Sequence, residues 1–244
     1  MADFTISLAG HSFRIHSLFE STREYCKRYL TEEEPELQVE VLREHLAFEQ
    51  QMLDQEAEEE GLRKRKFQEP FLERTAIQRA VAEFLFDRGA LMLHGSTVAV
   101  DGRAYLFTAK CGTGKSTHTR LWCEAFGNRA VMVNDDKPFL KLAVDGVWAC
   151  GSPWSGKHGL DTNLTAPLAG ICILQRGKEN QITPCASKEA LPMLLHQSYC
   201  PLDREKQPAF EALVNKLAET VPLWKMECTK DIEAALVAYD AMSK

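Results

Sequence analysis

The sequence lacks the cysteine patterns of metal-binding and disulfide-bonded proteins. No two of its eight cysteines form a Cys-x-x-Cys pair, so we expect neither a structural zinc site nor a thioredoxin-like redox motif. Most of the cysteines stand among apolar residues, where a reduced thiol behaves as a small hydrophobic group. The pattern therefore favours a cytoplasmic protein in a reducing compartment, without a disulfide framework.

Basic excess and long apolar runs are absent as well. Lysine and arginine number 29 against 35 aspartates and glutamates, and the net charge of −6 argues against a nucleic-acid or anionic-membrane partner. No apolar run approaches the roughly 20 residues of a membrane-spanning helix. Because no basic segment precedes an apolar stretch at the N-terminus, we also expect no signal peptide.

Residues 1–68 are predicted to form a small N-terminal α+β subdomain. Two apolar runs separated by a Gly-His pair predict a short hairpin, and a helix is expected near residues 21–30. Charged residues dominate positions 31–69, and we interpret them as solvated surface with a polar connection near residues 55–70. The alternative is that the basic run in this segment contacts an acidic substrate.

Residues 69–244 are predicted to form an α/β domain. Apolar residues at helical spacing stop at Gly89, and a series of short apolar runs then predicts strands. The Asp101-Gly102 pair between two of these runs indicates a tight hairpin turn. Two amphipathic helices are expected near the C-terminus. The domain thus combines antiparallel hairpins with a strand–loop–helix unit.

Residues 109–116 read Ala-Lys-Cys-Gly-Thr-Gly-Lys-Ser and form the clearest functional motif. An apolar strand precedes them and a helix follows, which is the context of a phosphate-binding loop. Gly112 and Gly114 allow backbone N–H groups to turn toward an anion, and the helix N-terminus adds donors. Lys115 is predicted to reach the β- and γ-phosphates of ATP, and the Ser116 hydroxyl to ligate Mg²⁺. The alternative is a chance glycine-rich turn.

The predicted nucleotide-binding residues run from the loop into the helix. Ala109 is a departure, because the common pattern begins with glycine. Cys111 is either tolerated in the loop or sensitive to oxidation. The full set consists of Ala109, Lys110, Cys111, Gly112, Thr113, Gly114, Lys115, Ser116 and Thr117.

Two adjacent aspartates and one histidine are the candidate catalytic groups. Asp135 and Asp136 end an apolar run about twenty residues after Lys115, where phosphoryl transfer needs a carboxylate for the metal or for the proton of the attacking hydroxyl. Neighbouring side chains on a regular strand point to opposite faces, so both serve the nucleotide only if the strand end twists. The alternative is that one or both are turn residues. His94 ends another apolar run and is either structural or part of the site.

Residues 150–163 form a polar, glycine-rich stretch between two predicted strands, where ligand loops are often found. Ser155 or Lys157 is a candidate for contact with phosphate, and Trp154 is a candidate for a pocket wall. A plain surface loop is the alternative for each of them.

The order of these segments resembles the HPr kinase/phosphorylase catalytic domain and, more distantly, the nucleotide fold of ATP-dependent phosphoenolpyruvate carboxykinase. The carrying segments are LHGSTVAV at residues 93–100, AKCGTGKST at 109–117 and VNDDKPF at 133–139. The resemblance covers residues 90–140 and, in general shape, residues 70–244. It implies a P-loop nucleotide-binding fold of the HPr-kinase type for residues 69–244.

The resemblance also implies roles for single residues. Lys115 would contact the transferred phosphate, and Ser116 and Asp135 would hold Mg²⁺. Asp136 would be the base that accepts a hydroxyl proton, and His94 would lie by the γ-phosphate and the aspartates. The family further implies ATP as the donor and a multimeric assembly.

Differences from the family narrow the expected activity. Ala109 replaces its first loop glycine, and residues 150–163 stand where its glutamate-containing signature segment is expected. The N-terminal segment does not look like that of the bifunctional enzymes. The expected activity therefore does not include phosphorylation of HPr itself or the reverse phosphorolysis.

The sequence favours an ATP- and Mg²⁺-dependent kinase that acts on a serine-like hydroxyl of a peptide, a protein or a small molecule. One alternative is a nucleotide-sensing module, which shares the loop but needs no base. The other is a carboxykinase-like enzyme, which needs a transition-metal site and an arginine clamp for a dicarboxylate. No clear arginine set for such a clamp is present.

Overall fold

The computed structural model describes residues 1–59, 61 and 63–244. Glu60 and Leu62, two positions of the charged segment and its basic run, lie outside the described residues. The chain divides into two compact units, Met1–Phe84 and Leu85–Lys244. None of the described helices has the length and apolar character needed to span a membrane.

The first unit contains a three-stranded sheet in the order β1 (Ala2–Leu8), β2 (His11–Ser17) and β3 (Leu37–Glu40). The predicted hairpin is confirmed, with β1 and β2 antiparallel and Leu8 opposite His11. Its turn consists of Ala9 and Gly10, both with positive φ, rather than the Gly-His pair. β3 pairs in parallel with β2 and was not anticipated from its charged sequence.

Among the described residues, three α-helices accompany this sheet: α1 (Glu20–Tyr25), α2 (Arg43–Glu59) and α3 (Glu69–Phe86). The polar connection expected near residues 55–70 is shorter than predicted, because α2 continues to Glu59. One buried position of α2 is Glu49, whose carboxylate accepts bidentate hydrogen bonds from Arg79 at 2.6 and 2.7 Å. A charged residue at a buried position interrupts the apolar spacing by which an amphipathic helix is recognised from the sequence.

The second unit contains a nine-stranded mixed sheet with four helices. Its strands are β4 (Ala90–Met92), β5 (Ser96–Val100), β6 (Arg103–Thr108), β7 (Ala130–Asn134), β8 (Phe139–Ala143), β9 (Gly146–Cys150), β10 (Thr165–Arg176), β11 (Gln181–Pro184) and β12 (Leu223–Cys228). Its helices are α4 (Lys115–Phe126), α5 (Ser187–Gln197), α6 (Gln207–Thr220) and α7 (Glu233–Met242). β11 and α5 were not predicted from the sequence.

The long strand β10 lies at the centre of this sheet. The strand order is β4-β8-β9-β10-β6-β5-β7, and β12 and β11 continue from β10. β10 is parallel to β6 and β12 and antiparallel to β9. The unit is therefore mixed α/β with antiparallel hairpins, as the sequence predicts, whereas the parallel pairing of β10 with β6 and β12 is a finding of the structure.

Strand periodicity distributes the core of the second unit over both faces of the sheet. Leu106 and Ile171 belong to the cluster that includes side chains of α5 and α6. Phe107 and Cys172, one position further along their strands, belong to the cluster that includes α4 and α7. Because successive side chains alternate between faces, the central strands are buried on both sides.

The predicted Asp101-Gly102 turn is present between β5 and β6. Val100 pairs with Arg103, and both turn residues have positive φ, 51° and 79°. This two-residue turn matches the twist of the strands that it joins. It returns the chain into β6, which leads directly to residues 109–114.

Candidate functional site

The predicted phosphate loop connects β6 to α4. β6 ends at Thr108 and α4 begins at Lys115, so the expected strand–loop–helix order is confirmed as geometry. Gly112 and Gly114 have φ values of 73° and 123°, which favour glycine over residues with a side chain. Ala109 is fully buried within the cluster that also contains Phe107, which gives a packing reason for a methyl group at this position.

Lys115 is buried at the end of the loop. Its Nζ donates to the Ala109 carbonyl at 3.2 Å, and burial lowers the pKa of the ammonium group. The turn of the loop is closed by Thr113, whose Oγ1 and backbone N donate to the Lys110 carbonyl at 2.8 and 3.2 Å. Lys110 and Cys111 are exposed.

Hydroxyl groups tie the first turns of α4 to the neighbouring strands. Ser116 Oγ donates to the Asp135 carbonyl at 3.4 Å. Thr119 Oγ1 and Ser96 Oγ form a buried hydrogen bond of 2.7 Å. Thr117, the last predicted nucleotide-binding residue, is half-buried on the same helix. The structure therefore brings the start of α4 close to the end of β7.

Asp135 lies just beyond β7 and is only 3% exposed. Its Oδ1 accepts a hydrogen bond from the Gly156 backbone N at 2.6 Å. Within the described part of the chain, its buried Oδ2 has no hydrogen-bond partner. Burial raises the pKa of this carboxyl, and the Gly156 bond offsets only part of the effect. Asp135 thus retains one oxygen suited to a cation.

Asp136 is turned away from the strand by Asn134. The Asn134 side-chain oxygen accepts from the backbone N of Asp136 at 2.8 Å and of Lys137 at 2.6 Å. This short turn begins where β7 ends, so strand alternation does not govern the two aspartates. The Asp136 carboxylate lies 3.2 Å from His94 Nε2, measured at Oδ1.

The His94–Asp136 pair has the protonation states of a proton acceptor and its supporting group. Burial lowers the pKa of His94 more than the Asp136 carboxylate raises it. Burial alone would raise the pKa of Asp136, but the His94 bond and the charges of Lys137 and Lys115 together hold it below its usual value. Near neutral pH, therefore, the imidazole is neutral and the carboxylate is ionised.

The backbone around His94 is fixed by three elements. Its N donates to the Gln197 carbonyl at 2.7 Å, and its carbonyl accepts from Thr108 Oγ1 at 3.0 Å. Gly95 N donates to the Asp136 carbonyl at 3.0 Å. A Cβ at position 95 would lie 3.1 Å from the Phe107 carbonyl, which explains the glycine after the histidine.

Residues 151–162 wrap around the end of β7. Asn134 Nδ2 donates to the Ser152 carbonyl at 2.8 Å. Trp154, the candidate pocket wall, is 5% exposed, and its ring contacts the Phe139 ring. Ser155 Oγ donates to Asp161 Oδ2 at 2.8 Å, and Lys157 is exposed. This segment contacts Asp135 by means of the hydrogen bond from the Gly156 backbone N.

The donor set near Asp135 suits magnesium better than a metal with many protein ligands. The described residues contain no group of three or more His, Cys, Asp or Glu that could hold a metal ion. Mg²⁺, however, usually binds one or two protein oxygens together with substrate phosphates and water. Two oxygens here are of the required kind: Asp135 Oδ2, which has no partner among the described residues, and the Ser116 hydroxyl, which bonds the Asp135 carbonyl.

Three residues that contact the site were not predicted from the sequence. Asn134 sets the turn before Asp136, Gly156 bonds Asp135, and Arg176 contacts the carbonyls of the phosphate loop. Only Asn134 carries a local signal, since asparagine before a turn commonly accepts from amides two and three residues on. The other two contacts join segments distant in the sequence.

Comparisons with known proteins show distant structural likeness only. The sequence matches no protein-family model and no curated protein. Among solved structures, the Hpr(Ser) kinase/phosphatase from Coxiella burnetii is similar at 12% identity. The similarity covers 52% of this chain and 93% of that one, with a TM-score of 0.31.

Proposed function

We propose that the protein is an ATP- and Mg²⁺-dependent kinase that transfers the γ-phosphate to a serine-like hydroxyl of a peptide, a protein or a small molecule. The observation that carries the proposal is the 3.2 Å contact between His94 Nε2 and Asp136 Oδ1, within electrostatic reach of Lys115. A nucleotide-sensing module would need the loop but would not need an ionised carboxylate within electrostatic reach of the loop lysine.

In the proposed reaction, the loop amides and Lys115 bind the β- and γ-phosphates. The acceptor oxygen bonds to the γ-phosphorus while the bond from that phosphorus to the bridging oxygen breaks, and ADP leaves. Asp136 accepts the hydroxyl proton, and His94 keeps the carboxylate oriented and ionised. Mg²⁺, held by Ser116 and Asp135, would neutralise negative charge on the phosphate oxygens.

The test is transfer of label from γ-labelled ATP with Mg²⁺ to a panel of serine peptides, free serine and cell extract. We expect a labelled acceptor from the wild-type protein and none from Lys115→Met. Label released only as inorganic phosphate, at the rate of water hydrolysis, would exclude the kinase. Nucleotide binding without transfer to any acceptor would favour the sensing module.

A further inference from the structure

Arg176, the last residue of β10, contacts the phosphate loop but has no part in the proposed chemistry. Its Nη2 donates to the Gly112 carbonyl at 2.5 Å, and its Nε donates to the Thr113 carbonyl at 3.4 Å. The side chain is exposed, so it is not required to fill the core. Its contacts therefore bear on the shape of the loop.

The register of the sheet explains how Arg176 reaches this position. β10 pairs in parallel with β6 as far as Ile173, which lies opposite Thr108, the last residue of β6. β10 then continues for three residues, about 10 Å at the usual rise of a strand. Arg176 is in register with Cys228 of β12, and the Gly177 N donates to the Cys228 carbonyl at 3.1 Å. The guanidinium is thus carried by a fixed strand end beside the loop.

Holding these two carbonyls also orients the amides on the same peptide units. In a trans peptide the C=O and N–H groups point in opposite directions. The Thr113 N–H, on the first unit, donates to the Lys110 carbonyl at 3.2 Å and closes the turn. The Gly114 N–H, on the second unit, is directed away from Arg176. This is the orientation that an anion bound on the opposite side of the loop requires.

We propose that Arg176 is a positioning residue that pre-forms the phosphate loop for a nucleoside polyphosphate, by holding the Gly112 and Thr113 carbonyls outward. The identity of the ligand rests on the proposed function. Arginine suits this role because its guanidinium stays charged and presents several N–H donors in one rigid plane. Pre-forming the loop lowers the ordering cost of binding the phosphates.

The test is calorimetric titration of Mg·ADP and Mg·ATP into three variants and the wild-type protein. We expect Arg176→Met to lower the affinity for both nucleotides by about tenfold, which is the effect of losing one hydrogen bond to a charged group. Arg176→Lys should recover part of the loss, because an ammonium group still donates to a carbonyl. Lys178→Met removes the same charge two residues away and should change neither affinity. The unliganded variants should melt at the wild-type temperature, because Arg176 is exposed.

Different outcomes identify different errors. Unchanged affinities in Arg176→Met would overturn this inference and leave the proposed function intact. A loss confined to Mg·ATP would also overturn it, because Arg176 would then contact the γ-phosphate itself. An equal loss in Lys178→Met would replace positioning by general charge attraction. If the wild-type protein bound neither nucleotide, the proposed function and this inference would both be wrong.

Discussion

Asp135 and Asp136 are neighbours in the chain, yet their surroundings shift the pKa values of the two carboxyl groups in opposite directions. Asp135 lies under residues 151–162, bonded to Gly156 N on one oxygen and without a partner on the other among the described residues. Asp136 lies beside His94 and is more exposed. Burial raises the pKa of Asp135, whereas the His94 bond and nearby lysines overcome burial and lower the pKa of Asp136.

The difference shows that environment, rather than residue type, assigns roles within a pair of carboxylates. A buried oxygen without a proton donor is stabilised by a cation. A carboxylate kept ionised beside a neutral imidazole can accept a proton at neutral pH. These two surroundings are the ones that the proposed function requires of a metal-binding aspartate, Asp135, and a proton-accepting aspartate, Asp136.

Among the changes that keep Asp136 itself, loss of its partner His94 should have the largest effect. In His94→Asn the bond that opposes burial is lost, so the pKa of Asp136 rises and its ionised fraction falls at low pH. We expect the transfer rate near neutral pH to fall about 100-fold, and the acid limb of the pH–rate profile to move to higher pH. His196→Asn, an exposed histidine on α5, is the matched control. If the acid limb did not move, His94 would not be the group that keeps the pKa of Asp136 low.

Breaking the Asp135 environment should change the magnesium requirement instead. Asp135→Asn removes a charged ligand, and we expect the Mg²⁺ concentration that half-saturates ADP binding to rise about tenfold. Asp136→Asn should leave that concentration nearly unchanged. Calorimetric ADP titrations at a series of Mg²⁺ concentrations provide the measurement. Equal shifts in the two variants would remove the distinction between the aspartates.

The two aspartates should affect the pH dependence of folding stability with opposite signs. A raised pKa means that Asp135 destabilises the fold increasingly as the pH rises above 3.8 through its folded value, so Asp135→Asn should gain stability toward pH 7. A lowered pKa means that the ionised Asp136 stabilises the fold above pH 3.8, and this stabilisation is lost as the pH falls through the pKa of the folded state. The Asp136→Asn variant should therefore be less stable than the wild-type protein at pH 7.

Urea unfolding between about pH 3 and pH 7 measures both effects, which we expect to be on the order of 1 kcal/mol. His118, whose pKa is lowered to about 4 by burial, affects the wild-type protein and both variants alike and cancels in the differences. The same sign for the two variants would contradict the assigned environments.

The smallest expected effect comes from Gly156→Ala. A Cβ at this position would lie 3.3 Å from both carboxylate oxygens of Asp135, so the carboxylate must shift by a few tenths of an ångström. We expect the unfolding free energy to change by no more than about 0.5 kcal/mol, with a small rise in the magnesium requirement. Lys157→Ala, on the adjacent exposed residue, is the control. A magnesium requirement unchanged by Gly156→Ala would show that Asp135 is not sensitive to its cover.

Local parts of the site could be predicted from the sequence, because their residues are contiguous. The loop at 109–116 is recognised from its own glycines and from the strand and helix that flank it. The tight turn at Asp101 and Gly102 is likewise a local pattern, and both are present in the structure.

The contact between His94 and Asp136 depends on pairing that the residues themselves do not reveal. β5 and β7 are antiparallel, with Thr97 opposite Asn134, so the residues before β5 and after β7 meet at one edge. The sequence supplied this expectation only through a family resemblance. The Gly156–Asp135 and Arg176–Gly112 contacts also join distant segments, and no motif marks them.

Charge explains the main omission in the first unit. α2 lies in a stretch dominated by acidic residues, and its buried Glu49 is paired with Arg79 instead of being replaced by an apolar residue. A pattern search based on apolar spacing cannot distinguish such a position from a solvated one. Trp154 illustrates the reverse case, because an aromatic residue in a polar loop turned out to be buried.

The most direct test of the kinase proposal compares binding and transfer in one preparation of Asp136→Asn. Calorimetry gives its affinity for Mg·ATP, and single-turnover mixing with γ-labelled ATP and the identified acceptor gives its rate of transfer. We predict an affinity close to that of the wild-type protein and a transfer rate lower by about 10³-fold. Transfer at the wild-type rate by Asp136→Asn would contradict the assignment of Asp136 as the base.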